Sequence, residues 1–86
     1  MEDSLLTFPC AFPIKIVGEA HDGFTQTITE IVVHHAPDFD PANVEMRPSK
    51  NGKYLSLTCD IQATSRQQLD ALYQELSAHK MVSIVL

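Results

Sequence analysis

Short stretches in which apolar and polar residues alternate predict four β-strands, because successive side chains of a strand point to opposite faces. The predicted strands cover residues 12–18, 44–48, 53–63 and 81–86. In the first strand, Ile14 and Ile16 share one face. In the last strand, one face is shared by Val82, Ile84 and Leu86. These faces are expected to line the core.

Two other stretches repeat their apolar residues at the three- and four-residue spacing of one helix face. They cover about residues 23–36 and about residues 66–78. Asp22 is the expected N-cap of the first helix, and Pro37 lies just beyond its end. Ser65 and Gln68 form the S-x-x-Q capping box of the second helix. Both helices therefore have a start signal in the sequence.

The dipeptide Asn51-Gly52 predicts a two-residue type I′ turn between the second and third strands. This turn pairs Lys50 with Lys53. The ladder continues through the pairs Pro48–Leu55, Met46–Leu57 and Val44–Cys59. Because the turn and the apolar pattern agree on this register, the hairpin is a well-specified feature of the chain.

The element order strand, helix, strand, strand, helix, strand predicts an α+β fold, a ferredoxin-like two-layer sandwich. Its antiparallel sheet has four strands, with strands one and three central and both helices on one face. Residues 1–11, with Leu5, Leu6 and Phe8, form an extended N-terminal arm before a single domain at 12–86. The open sheet face is expected to carry Lys15, Val17, Glu45, Arg47, Tyr54, Ser56, Thr58, Asp60, Ser83 and Val85.

Composition narrows the class of protein. The chain has 86 residues, of which 44% are hydrophobic, which suits one small domain. Its 11 acidic and 6 basic residues give a net charge of −5, which disfavours nucleic acid and anionic membranes as partners. No apolar run approaches the roughly 20 residues that cross a bilayer. With an acidic N-terminus and no CxxC pair, the expected location is cytoplasmic, without membrane attachment.

The loop after strand one lacks the residues of two chemistries that this fold can host. It contains no cysteine, so it cannot serve a copper or zinc carrier. It contains no arginine to clamp a phosphate, and Glu19 and Asp22 place negative charge there. His34 and His35 are adjacent on a helix, so their side chains diverge by about 100°. We therefore predict no catalytic residues, no metal site and no cofactor, and we do not expect an enzyme.

Three groups of residues are candidates for contacts with other molecules. Two glycines bracket a loop that could receive a small-molecule ligand, and its residues are Gly18, Glu19, His21, Asp22 and Gly23. The alternative interpretation of this loop is a plain turn capped by Asp22. The open sheet face offers Lys15, Arg47, Tyr54 and Ser56 to a partner. The last strand has no charge or proline at its edge, so Ser83 and Val85 are expected at an edge-to-edge homodimer contact.

A nucleic-acid interface on the open sheet face is the alternative function. The segment Gly52-Lys53-Tyr54-Leu55-Ser56-Leu57 has some likeness to the strand-three motif of RNA-recognition modules. Such modules stack bases on aromatic residues of both central strands, and here only Tyr54 is available. Lys15, Arg47 and Lys53 would supply the positive charge.

Several spaced motifs resemble the YbeD-like family of small bacterial proteins. They are Phe8-Pro9-x-x-Phe12-Pro13-x-Lys15-x-x-Gly18, His35-Ala36-Pro37, Ser49-Lys50-x-Gly52-x-Tyr54-x-Ser56 and Leu72-Tyr73-x-x-Leu76. The resemblance extends from about residue 5 to Leu86. It implies a ferredoxin-like domain similar to the ACT regulatory domains of amino-acid metabolism, with no established activity. It also implies genes placed near lipoate-transfer functions.

ACT domains that bind an amino acid generally receive its carboxylate at a loop glycine and a helix N-terminus, whereas here Glu19 and Asp22 would repel a carboxylate. The combined expectation is a non-enzymatic ACT-like regulatory or adapter domain. It would act through a protein partner or a small-molecule ligand, with lipoate metabolism as its expected setting.

Overall fold

The computed structural model describes residues 7–86, which form six regular elements and one short turn of 3₁₀ helix at Pro41–Asn43. The elements are β1 (Cys10–Glu19), α1 (Phe24–His35), β2 (Glu45–Pro48), β3 (Tyr54–Ala63), α2 (Arg66–Ala78) and β4 (Val82–Val85). The strands form one antiparallel sheet in the order β2-β3-β1-β4. The predicted ferredoxin-like fold and its two central strands are confirmed.

The core lies between the helices and one face of the two central strands, which have 10 residues each. Alternate residues of these strands are fully buried or nearly so: Ile14, Ile16, Leu57, Cys59 and Ile61. The helices contribute Phe24, Ile28, Val32, Leu69, Leu72 and Leu76. The period of two in the strands and the wider period in the helices therefore place one apolar surface against the other.

The start of the first strand differs from the prediction. β1 begins at Cys10, two residues before the expected start, and pairs with β3 from that point. Phe8 and Phe12 are partly buried and pack against the core. The predicted positions of Leu5 and Leu6 in the arm lie outside the described residues.

The capping box predicted for α2 is present. Ser65 Oγ accepts a hydrogen bond from the Gln68 backbone N–H at 3.0 Å. The Gln68 side chain reaches one residue further back than a standard capping box, because its Oε1 accepts from the Thr64 N–H at 2.7 Å. Its Nε2 donates to the His35 carbonyl at 3.0 Å. Gln68 thus joins the start of α2 to the end of α1.

The N-cap of α1 is Gly23, so the prediction that Asp22 caps this helix is wrong. Gly23 has a φ of 86°, in the left-handed region that favours glycine, and no side chain caps the helix. The Phe24 N–H donates to the His21 carbonyl at 3.2 Å and closes a tight turn in front of the helix. The left-handed entry at Gly23 therefore replaces the expected side-chain cap.

The hairpin between β2 and β3 has the predicted register, with Met46 opposite Leu57 and Pro48 opposite Leu55. Its turn, however, is not of type I′. That type needs a positive φ at both central residues, and only Gly52 has one, at 77°. The Ser49 N–H donates to the Tyr54 carbonyl at 2.9 Å, so four residues form the loop.

Side-chain hydrogen bonds give the physical reason for this longer loop. Ser49 Oγ accepts from the Tyr54 N–H at 3.0 Å and donates to Asn51 Oδ1 at 3.1 Å. Asn51 Oδ1 also accepts from the Lys53 N–H at 3.1 Å. Because Asn51 bonds to the backbone two residues on, it stays out of the left-handed region that a type I′ turn requires.

The side chains of β4 face the opposite way from the prediction over its second half. An irregularity between Val17 and Gly18 pairs Gly18 with Val82, and Val17 with Ile84, so the ladder skips Ser83. Val85 lies opposite Ile16 and packs against the core. Ile84 and Leu86, expected in the core, are 49% and 62% exposed. The prediction that Val85 lies on the open face is therefore wrong.

Candidate functional site

The open face of the sheet brings the predicted contact residues of three strands into adjacent rows. One row crosses the sheet through Lys15, Thr58 and Glu45. The next row crosses it through Val17, Ser56 and Arg47. Since neighbouring strands lie about 4.8 Å apart, the cations of β1 and β2 stand on either side of β3.

A depression of about 500 Å³ lies between these rows, lined by Lys15, Glu45, Met46, Arg47, Ser56 and Thr58. A smaller one of about 180 Å³ adjoins it and extends the surface towards Tyr54 and Ser49. Lys15, Arg47 and Ser56 line both. We call the two depressions together the basic hollow.

Positive charge is concentrated around the basic hollow although the chain as a whole is acidic. Lys15 and Arg47 lie in it, and Lys50 and Lys53 lie on the adjoining hairpin, which together make four of the chain's six basic residues. Within residues 7–86, neither Lys15 nor Arg47 has an ion-pair partner, although Glu45 lies in the same depression. Both cations are therefore available to an anionic group from outside.

Two further groups of the basic hollow offer polar and aromatic contacts. Ser56 Oγ is buried and, within the described residues, has no hydrogen-bond partner. A buried hydroxyl without a partner carries a desolvation cost of about 1–3 kcal/mol, which a ligand or an ordered water would relieve. Tyr54 is 36% exposed, and Lys53 Nζ lies 5.7 Å from the centre of its ring.

The predicted ligand loop at residues 18–23 has a different character. Gly18 is buried, and a Cβ at this position would lie 2.2 Å from the Met81 carbonyl oxygen and 2.5 Å from Phe24 Cε1. Gly18 is therefore required for packing between β1, α1 and the start of β4. Glu19, His21, Asp22 and Gly23 are exposed. Ligand binding by this loop stays a prediction.

The exposed residues of this loop are poorly suited to bind a carboxylate ligand. His21 Nδ1 lies 3.1 Å from the Asp22 carbonyl oxygen, and two side-chain carboxyl groups flank this imidazole in the sequence. The Ala20 N–H donates to the Lys53 carbonyl at 2.8 Å, which fixes the start of the loop to the β2–β3 hairpin. The loop therefore presents mainly negative charge.

Among the described residues, His35 and Cys59 have structural surroundings. His35 Nε2 lies 2.6 Å from Glu75 Oε1 and links the two helices. Within residues 7–86, no three His, Cys, Asp or Glu side chains are grouped to hold a metal ion. Burial, with a smaller effect of the neighbouring Asp60, raises the pKa of the Cys59 thiol to about 11, so it is a poor nucleophile at neutral pH. No helix of this part of the chain is long and apolar enough to span a membrane.

Sequence reasoning missed three exposed apolar side chains. Met46 was expected beneath the helices because it pairs with Leu57, yet it is 58% exposed at the outer edge of β2. Ile84 and Leu86 reach the open face because the ladder skips one residue of β4. The alternating pattern alone contains no signal for such an irregularity.

Comparison with known proteins gives one family. Residues 3–86 match the family model described as Protein of unknown function (DUF493). A UPF0250 protein of Nitrosomonas europaea is 59% identical over 99% of this chain and 98% of its own length. A UPF0250 protein of Bordetella pertussis is also 59% identical, over 99% of this chain and 93% of its own.

Two solved structures have a similar fold at 20% sequence identity. The solution structure of protein HP0495 from H. pylori aligns with a TM-score of 0.73 over 94% of this chain and 85% of that one. The solution structure of the ACT domain from the GTP pyrophosphokinase of Chlorobium tepidum aligns with a TM-score of 0.71 over 93% and 86%. At this identity, the two structures support the fold alone.

Proposed function

Because this chain belongs to the DUF493 family of UPF0250 proteins, as its YbeD-like motifs indicated, and has the fold of an ACT domain, we propose that it is a non-enzymatic regulatory or adapter domain. Its proposed partner is a protein that presents a short acidic segment. The binding surface is the basic hollow of the open sheet face.

The observation that supports this proposal is the pair of cations at Lys15 and Arg47, which have no ion-pair partner within residues 7–86, beside the buried hydroxyl of Ser56. An arginine can bind a carboxylate through two parallel hydrogen bonds, and a lysine contributes a compact charge beside it. A carboxylate that enters the basic hollow could also accept a hydrogen bond from Ser56 Oγ once this buried hydroxyl turns towards the surface. Glu45 limits the room for negative charge on one side, which favours one or two carboxylates over a polyanion.

The comparison with regulatory domains favours an adapter over an enzyme. The ACT domain of the Chlorobium tepidum neighbour is part of a GTP pyrophosphokinase, so that domain is one unit of a larger protein. Burial keeps the Cys59 thiol protonated, which disfavours it as a nucleophile. The link to lipoate metabolism stays a prediction from the family resemblance.

The proposal can be tested by titrating the ¹⁵N-labelled protein with a short synthetic peptide that contains two glutamates and one leucine. We expect chemical-shift changes that saturate at the amides of Lys15, Arg47 and Ser56, while residues 19–23 stay unchanged. The variant Lys15→Glu/Arg47→Glu should lose this binding by at least about tenfold, because each charge-assisted hydrogen bond contributes about 1.5–3 kcal/mol.

The matched control is Arg66→Glu/Lys80→Glu, which changes the net charge equally but lies outside the basic hollow. This control should bind the peptide like the natural protein at 150 mM salt. Shift changes confined to residues 19–23 on addition of free amino acids would instead favour a ligand loop. Binding of a single-stranded oligonucleotide that Tyr54→Ala weakens and salt abolishes would favour the nucleic-acid alternative.

A further inference from the structure

Within residues 7–86, no strand pairs with the outer side of β2 or of β4, and these two edges differ in the residues that could prevent pairing with another chain. Edge strands pair with other chains unless charges, proline or irregular geometry prevent it. β2 contains Glu45, Arg47 and Pro48, so its edge is guarded. β4 and the residue after it, Leu86, contain no charged side chain and no proline. The β4 edge is therefore the one that is chemically open to another strand.

The backbone of β4 offers hydrogen-bonding groups on its outer side. The Lys15 N–H donates to the Leu86 carbonyl at 3.1 Å, and the Leu86 N–H donates to the Lys15 carbonyl at 2.8 Å. In an antiparallel ladder, such doubly bonded pairs alternate with pairs whose groups point outward. Val85 is the next residue, opposite Ile16, so its N–H and C=O point away from β1.

Apolar side chains accompany this open edge. Ile84 lies opposite Val17, and Leu86 opposite Lys15, so both side chains lie on the open sheet face. They are 49% and 62% exposed. Together with the half-buried Val17, they form an apolar strip along β4 that the chain's own helices leave uncovered.

We infer that a second copy of this chain pairs with the β4 edge in antiparallel orientation, with a two-fold axis at Val85. The N–H and C=O of Val85 bond to the same groups of Val85 in the second copy. Ile84 then lies opposite Leu86 of the second copy, and Leu86 opposite its Ile84. The two sheets form one continuous sheet of eight strands.

A second copy is the fitting occupant because the strip is self-complementary. A two-fold axis repeats every contact. The outward N–H and C=O of Val85 therefore form two hydrogen bonds with the second copy, and the contact between Ile84 and Leu86 occurs twice. The contacting side chains carry no charge, so added salt should not weaken the contact. β4 has only four residues, so the dimer should form and dissociate with concentration. This inference does not depend on the proposed binding of an acidic segment.

Sedimentation velocity over a concentration series tests the dimer. We expect monomer at low micromolar concentration and dimer at higher concentration, with no weakening between 50 mM and 500 mM salt. Ile84→Lys should raise the dissociation constant by at least about tenfold, because both Ile–Leu pairs are lost. The control Met46→Lys changes a similarly exposed apolar residue at the opposite edge and should leave the midpoint unchanged.

A disulfide experiment tests the register. In a Cys10→Ser background, Ile84→Cys and Leu86→Cys are prepared separately and then mixed under mild oxidation. The mixture should give a covalent dimer of one copy of each variant, while each variant alone should stay largely uncrosslinked, because only positions 84 and 86 face each other. A natural protein that is monomeric at millimolar concentration, or a dimer that Ile84→Lys does not weaken, would overturn the inference.

Discussion

The two edges of the sheet, β2 and β4, are equally short but present different chemistry to their surroundings. Each has four residues. β2 points Glu45 and Arg47 onto the open face and ends at Pro48, whereas the corresponding side of β4 carries Ile84 and Leu86. A single sheet thus divides into a charged half suited to a polar partner and an apolar half suited to another strand. The two edges cannot be distinguished by strand length, and only their side chains show the difference.

The difference depends on one irregularity in the ladder. Without the skipped Ser83, Val85 would lie on the open face, and Ile84 would turn towards the core. The irregularity adjoins Gly18, whose missing side chain lets the Met81 carbonyl and the Phe24 ring come close. The character of the β4 edge therefore rests on a glycine in the neighbouring strand.

The largest effect is expected from Gly18→Ala. The added Cβ would lie 2.2 Å from the Met81 carbonyl oxygen, which is backbone and cannot rotate away. We expect a loss of about 3 kcal/mol or more in the free energy of unfolding, at the upper end of the range for overpacked sites. Urea unfolding monitored by circular dichroism measures it.

The control for this variant is Gly52→Ala. Gly52 has a φ of 77° but open space where its Cβ would be, so only the backbone conformation resists the change, at about 1–2 kcal/mol. If Gly18→Ala were as mild as Gly52→Ala, the close approach of β4 to Gly18 would not be a requirement of the fold, and the reversal of β4 faces would lose its explanation.

Much of the fold follows from the sequence because its signals agree with one another. The bounds of α2 match the prediction of 66–78, since Ser65 marks its start and Leu69, Leu72 and Leu76 share one buried face. The register of the hairpin was also predicted correctly, since the apolar residues on both strands allow only one pairing.

One part that failed is local, and others depend on contacts between distant residues. Asp22 fits an N-cap by residue type, but the chain enters α1 through the left-handed Gly23. The face of Val85 depends on how β4 meets Gly18 across the sheet, which no local pattern records. Lys15, Arg47 and Ser56 were predicted on one face, but their common hollow and the unpaired Ser56 hydroxyl emerge only when three strands are assembled.

The difference between the two edges can be removed by replacing the residues of β2 that are expected to prevent pairing with another strand. In Glu45→Thr/Arg47→Val/Pro48→Thr, both charges and the proline are replaced by residues that favour strands. We expect this variant to associate at concentrations at least about tenfold lower than the natural protein, a gain of about 1.4 kcal/mol. Sedimentation velocity measures the change.

This gain should survive in combination with Ile84→Lys, because the new contact uses β2 and not β4. An association that Ile84→Lys abolishes would mean that the altered β2 strengthens the existing β4 contact. A variant that stays as monomeric as the natural protein would show that the charges and the proline of β2 are not what guards its edge.

The smallest expected change in the free energy of unfolding concerns a hydrogen bond that holds Leu86, the residue after β4, to α2. The Tyr73 hydroxyl of α2 donates a hydrogen bond to the Leu86 carbonyl oxygen at 3.3 Å. This bond is exposed to solvent, so Tyr73→Phe should lower the free energy of unfolding by only about 0.5–1 kcal/mol at pH 8. Tyr54→Phe, which lies on the open face of the same sheet, is the control and should have a smaller effect.

The pH dependence of this difference tests whether the protonated Tyr73 hydroxyl is its source, because a phenolate cannot donate a hydrogen bond. Burial raises the pKa of Tyr73 above its ordinary value of 10.0, so the folded state favours the protonated hydroxyl that donates. The stabilisation is therefore fully present below pH 10 and is lost as the pH rises through the higher pKa of the folded state. Urea unfolding of both proteins above that pKa should show the difference vanish or reverse. A difference that persists there would mean that donation by the Tyr73 hydroxyl to the Leu86 carbonyl oxygen is not its source.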